Sequence, residues 1–258
     1  MPKHIFSTQY WRAILLLVSI SIKKRDANTI LGGIWGLIQP FINVTVISYF
    51  MSFVLRYDPK VIVVNLVGAL TFWTFILQSM TSTSNSLISN SEILKRTILP
   101  KTYFPIADIL SNVHTLFYSF TAMYVALILI FPEFLSWKII FIPLLSLPLI
   151  ISVMSAGVLS AFLTPYVRDI PQFVAVILGV LYWTIPIIYP YSIVPESKRI
   201  FFEWNPFFIV IRPMQDLVAT GDIPGLMMIV KSWIVAAIVT FISFIIYRKI
   251  SREVIYYL

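Results

Sequence analysis

Ile234 to Ile246 reads IVAAIVTFISFII and Val174 to Val180 reads VAVILGV, two runs that are apolar on every face. A strand crossing a bilayer needs about 10 residues of alternating polarity, and neither run alternates. With no water in the hydrocarbon to satisfy backbone groups, such runs must be helices. The first belongs to a longer segment, Ile223 to Tyr247, whose one charge is Lys231 near an end where it can snorkel. Five further runs carry no Asp, Glu, Lys or Arg: Ala27 to Leu55, Val61 to Ser91, Ile109 to Pro132, Ile139 to Val167 and Ile170 to Pro195. The shortest of these holds 24 residues, and about 20 helical residues at 1.5 Å each cross a core about 30 Å thick. The expected fold is an all-α membrane protein with six transmembrane helices.

Composition agrees. Hydrophobic residues make up 59% of the 258 and charged residues 12%, and mean hydropathy is +0.90, whereas soluble domains carry about 25% charged residues. The net charge of +8 sits at the ends of the runs, which points to topology and anionic headgroups rather than nucleic acid. With the N-terminus in the cytoplasm, 12 of the 19 basic residues fall inside, among them Lys3, Arg12, Lys95, Lys101, Arg248 and Lys249. That asymmetry favours both termini inside.

Ile5 to Ile22 precedes the first run, but its uninterrupted apolar part is only Ala13 to Ile22. Arg12 in the bilayer would cost about 2.5 to 3.5 kcal/mol. Residues 1–26 are therefore expected to form an amphipathic interface helix on the inner surface, with Phe6, Tyr10, Trp11 and Leu15 toward lipid. A seventh crossing with an external N-terminus is the alternative. No small-residue cleavage pattern follows, so the first span is expected to stay in the mature protein. Residues 191–222 contain Pro195, Pro206, Pro213 and Gly221 together with the runs IFFEW and NPFFIVI. They are expected to form an external re-entrant helical hairpin before the last span, because an exposed loop would leave too many aromatics in water. A single membrane domain accounts for residues 1–258.

Much chemistry is excluded. No Gly is followed by Lys, so there is no P-loop. The only histidines are His4 and His114 and there is no cysteine, which removes His-based metal clusters, thiolate sites and a Ser-His-Asp constellation of ordinary form. No catalytic, metal or cofactor residue is expected. The runs lack the intramembrane carboxylates or histidine relays of ion-driven carriers, Asp108 and Asp169 falling at inner ends. A passive channel, an ATP-driven pore with a separate ATPase and a structural subunit remain. Gly32 and Gly36 form a G-x-x-x-G that could allow close helix approach. Ser82, Ser84, Asn85, Ser86, Ser89 and Asn90 crowd the inner half of the second run and are expected to face the bundle or a wet cavity.

Four stretches in order carry a resemblance: LGGIWGLIQP from Leu31, ILKRTILPKTYFPIADIL from Ile93, YVRDIPQF from Tyr166 with PIIYP from Pro186, and NPFFIVIR from Asn205. The chain resembles the membrane subunit of ATP-binding-cassette exporters of the ABC-2 type that serve O-antigen, capsule and teichoic-acid export. The resemblance implies a permease in the bacterial cytoplasmic membrane, a homodimer with two copies of a separate ATPase that holds ATP and Mg. It implies a polyprenyl-diphosphate-linked glycan as substrate; a drug or lipid substrate, or a channel without an ATPase, are the alternatives. A cytoplasmic coupling helix is expected at 91–101, with Glu92, Lys95 and Arg96, beside a second docking loop with Arg168 and Asp169. Lys23, Lys24 and Arg25 are candidates to receive the diphosphate. Sugars pack C–H faces on flat rings, which makes Trp35, Tyr49, Phe53, Phe72, Trp73, Tyr182 and Trp183 candidates to line the pore.

Overall fold

The structure, a computed structural model, describes residues 8–26, 32–97, 99–251 and 253–257. Among these there is no strand. The helices are α1 (Thr8–Asp26), α2 (Trp35–Leu55), α3 (Pro59–Ser84), α4 (Ser86–Ser89), α5 (Ser91–Arg96) and α6 (Tyr103–Ile130). They continue with α7 (Ile142–Leu145), α8 (Leu147–Leu163), α9 (Ile170–Tyr182), α10 (Glu196–Glu203), α11 (Pro206–Thr220) and α12 (Leu226–Ile250).

Five stretches are long and apolar enough to cross a membrane: Gly32–Leu55, Pro59–Ser84, Tyr103–Ile130, Trp137–Leu163 and Leu226–Ile250. α1 is not among them. The expected fifth crossing differs. α9 has only 13 residues, a rise of about 20 Å, although the apolar run goes on to Pro195. Pro186 and Pro190 supply the reason, since each lacks a donor and drives its preceding residue out of the helical region.

α3 is the centre of the bundle and packs against α2, α6, α8, α9 and α11. Its start is set locally: the Asp58 side chain accepts from the Lys60 N–H at 2.9 Å and Pro59 occupies the first turn. Leu66, Phe72 and Ile76 are fully enclosed. Gly68 permits a close crossing, because a Cβ there would lie 2.9 Å from the Gln215 Cα of α11. Gln215 itself donates to Asn65 Oδ1 (3.1 Å) and to the Pro186 carbonyl (3.0 Å), tying α3, α11 and the chain after α9 together.

α10 and α11 follow each other across Trp204 and Asn205 and contact each other. Asn205 caps α11 by accepting from the Phe207 N–H at 3.0 Å, with Pro206 at its first position. α11 starts beside the middle of α3, where Phe207 meets Trp73 at 5.8 Å between ring centres. It ends at Gly221, whose φ of 72° closes the helix and whose carbonyl accepts from Ser136 Oγ at 2.8 Å. The bundle thus has a Ser136 end, holding the end of α11, and an α5 end.

Candidate coupling surface and translocation path

α5 follows α3 and α4 out of the bundle. One of its side chains turns inward: Leu94 joins Leu87, Phe104, Ala161, Phe162 and Val254 in a small second core. Glu92, Lys95 and Arg96 are left exposed, with Arg96 Nη2 donating to Glu92 Oε2 at 3.3 Å. An ion pair this open to solvent contributes little to folding. The expected helix over 91–101 is shorter than that reading. It stops at Arg96, and Thr97 is extended (φ −124°, ψ 152°), in keeping with Pro100, which bars helix from the residue before it.

Arg168 and Asp169 lie exposed on the turn between α8 and α9. Arg168 Nη2 reaches the Tyr257 carbonyl at 3.5 Å. The Tyr166 hydroxyl donates to the Ile250 carbonyl at 2.8 Å, and its ring lies 4.4 Å from that of Tyr257; burial pushes its phenol pKa up. The segment Val254–Tyr257 therefore joins the two loops, with Val254 fully buried under Leu94 and Tyr257 against Tyr166 and Arg168. Sequence reasoning missed this segment. Its signal was the apolar VIYY that resumes after the charged end of the last span.

Lys23 is exposed near the end of α1. Lys24 and Arg25 lie on the same helix, but their side chains, like Phe6, fall outside the described residues. α1 runs beside the first half of α6: Tyr10 packs on Tyr103 at 4.7 Å, and Ile22 shares a cavity with His114 and Tyr118. Ile14 faces inward while Trp11, Leu15, Leu16 and Ile20 face out.

The seven aromatic candidates separate into two groups. Phe72 is enclosed against Phe120 (5.4 Å), and Trp73 is buried against Tyr182 and Phe207, both at 5.8 Å. Trp35, Tyr49, Phe53 and Trp183 are exposed, Tyr49 and Phe53 meeting edge to face at 5.1 Å on α2 and Trp183 against the half-buried Tyr182 at 5.4 Å. Trp35 also borders a cavity of about 730 Å³ with Gln39, Gln78, Ser82, Asn112 and His114. The polar residues of α3 divide likewise. Ser84 is buried and donates to Ser160 Oγ at 3.0 Å, while Ser82 faces the cavity and accepts from Asn112 at 3.1 Å. Gly36 lets α2 approach α6, its carbonyl accepting from Ser119 at 2.7 Å. Gly32 instead makes a turn at φ 50°, so the two glycines do not share one packing face.

The chain is thus a helical bundle with five helices long and apolar enough to cross a membrane, a polar flank and a charged helix displayed at one end. A family model described as ABC-2 type transporter matches residues 12–219, and the chain belongs to that family. It is similar to an O-antigen export system permease protein RfbA of Klebsiella pneumoniae, 22% identical over 213 residues, which are 81% of each chain. A protein of the same name from Myxococcus xanthus is 20% identical over 213 residues, covering 82% of this chain and 79% of that one.

Proposed function

We propose that this chain is the permease subunit of an ATP-driven exporter that carries a polyprenyl-diphosphate-linked polysaccharide across the bacterial cytoplasmic membrane. The observation that carries the reading is the α5 end, where the Val254–Tyr257 segment gathers α5 and the Arg168 turn into one surface with outward charges. A separate ATPase, holding ATP and Mg, docks there through Glu92, Lys95, Arg96, Arg168 and Asp169. Relatives named O-antigen export permeases, aligned over four-fifths of both chains, support the substrate class.

In this reading the α5 end is cytoplasmic, both termini are inside, and α1 anchors in the inner leaflet through Trp11 and Leu15 with Lys23 at the headgroups. Six crossings result when α9 and the chain from Trp183 to Pro190 cross together, the irregular part covered by α3 and α11. The α10–α11 hairpin then re-enters from the outer side to the depth of Trp73. One subunit cannot enclose a glycan, so two form the path about a two-fold axis. The exposed rings of α2 and Trp183 and the polar flank of Gln78 and Ser82 would line it.

Complementation tests this. A strain lacking the gene should lose its surface polysaccharide and accumulate lipid-linked glycan inside, and the wild-type gene, but not one carrying Arg96→Glu, should restore export. Unchanged surface glycan in the deletion strain would point to the drug, lipid or channel alternatives.

A further inference from the structure

A second cavity lies away from the path proposed above. It holds about 620 Å³, within the range of about 300 to 1,000 Å³ typical of small-molecule sites. Its floor is α8 (Met154, Val158, Leu159 and Phe162), and its walls are Ile106 of α6 and Phe244 of α12. α6 and α12 each pack on α8, and the cavity is the gap left between them. Ser155 and Thr240, which line it, bond each other at 2.9 Å, so the interior offers few open polar groups and suits hydrocarbon.

The mouth is different. At the α5 end it is bordered by Lys101, Thr102, Tyr10, Tyr247 and Ser251. Among the described residues no carboxylate pairs with Lys101, although Glu92, Glu133 and Asp222 elsewhere all have cationic partners. Burial pulls the Lys101 ammonium below its ordinary pKa, so the charged form lacks solvation there and gains from an anion at hydrogen-bond range. An apolar slot under a cationic, hydroxyl-bearing rim matches one molecule class, an anionic amphiphile with its chain inward and its phosphate at the rim.

We infer that this cavity is a binding site for an anionic phospholipid, one acyl chain lying over α8 and the phosphate held by Lys101. The inference rests on the membrane placement above only for the leaflet. Binding itself is independent of which ATPase or glycan the chain serves.

The test is native mass spectrometry of the full-length protein, delipidated in detergent and titrated with phosphatidylglycerol, phosphatidylcholine or a polyprenyl phosphate. Two variants accompany it: Lys101→Gln, which removes the charge, and Leu159→Trp, which fills the slot. The expected result is one retained phosphatidylglycerol per subunit, occupancy at least about fivefold lower for phosphatidylcholine and for each variant, and no displacement by polyprenyl phosphate. A fivefold change is about 1 kcal/mol, what one surface cation contributes at a lipid headgroup. Equal occupancy in wild type and both folded variants, equal retention of phosphatidylcholine, or displacement by polyprenyl phosphate would each overturn it. Retention of the circular-dichroism spectrum by Lys101→Gln, an exchange at the cavity rim, keeps loss of binding distinct from loss of fold.

Discussion

The two ends of the bundle are held together in different ways. At the Ser136 end, loops are fastened to one another by specific ties: Lys60 to Glu133 (3.0 Å), Lys138 to Asp222, Ser136 to Gly221, and the Tyr124 hydroxyl to the Phe134 carbonyl (2.9 Å). Just inside lies Arg212, paired with Asp216 at 2.7 Å and stacked 5.0 Å from the Tyr191 ring. At the α5 end the chain is held mainly by a small apolar core under Leu94 and Val254, and the charges of α5 point outward. The difference marks the end that leaves its charges directed outward, which is the end proposed above to take a partner. One end satisfies its own polar groups, while the other keeps only enough packing to present them.

The strongest way to break the fastened end is Gly68→Leu. A Cβ alone would sit 2.9 Å from the Gln215 Cα, a backbone atom that cannot swing aside, so a larger side chain must push α11 off α3. Overpacking of this kind should cost about 3 kcal/mol or more, read as a large drop in Tm in detergent. Val254→Asp attacks the other end. It places a carboxylate in a fully enclosed site, and expelling it should release the tail at a cost of about 2 kcal/mol. Hydrogen exchange should then rise in α5 and the Arg168 turn but not in α11, and ATPase stimulation should fall severalfold.

These two positions also mark what was legible in the sequence. The apolar runs identify the long helices because in lipid the backbone has no other option. The Asn205–Pro206 start of α11 and its Gly221 end are readable as local capping chemistry. The short α9 was within reach as well, since Pro186 and Pro190 stand in the quoted PIIYP, but length of apolar run overrode them. Gly68 and Gln215 are 147 positions apart, and nothing local announces that one makes room for the other. The burial of Phe72 and Trp73 is equally non-local: on an all-apolar helix, only the neighbours decide which aromatic packs inside and which faces outward. Val254 escaped notice because its partners, Leu94 and Phe162, come from separate helices, α5 and α8, far from it in sequence.

A smaller effect sharpens the comparison. Gln215→Leu removes the donor to Asn65 and to the Pro186 carbonyl, leaving two acceptors unmet inside the bundle, which should cost about 1 to 2 kcal/mol. Thermal unfolding should register this while α5 exchange stays unchanged. Smallest of all, Lys138→Gln breaks a tie to Asp222, whose carboxylate is open to solvent. Its loss should cost less than about 1 kcal/mol, with a Tm within a few degrees of wild type. If Lys138→Gln destabilised the protein as much as Gly68→Leu, the fastening of that end would reside in its surface ties rather than in the α3–α11 crossing.

The most direct test of the open end is co-purification. The tagged permease, drawn from its native membrane in mild detergent, should bring down an ATPase with a P-loop at equal stoichiometry. Reversing Arg96 and Arg168 together to Glu should abolish that recovery while leaving Tm within a few degrees of wild type, because Arg96 pairs only with the exposed Glu92 and Arg168 makes one long, exposed bond to the Tyr257 carbonyl. A stable permease that brings down no ATPase, or one whose recovery is untouched by the double reversal, would contradict the assignment of the α5 end as the coupling surface.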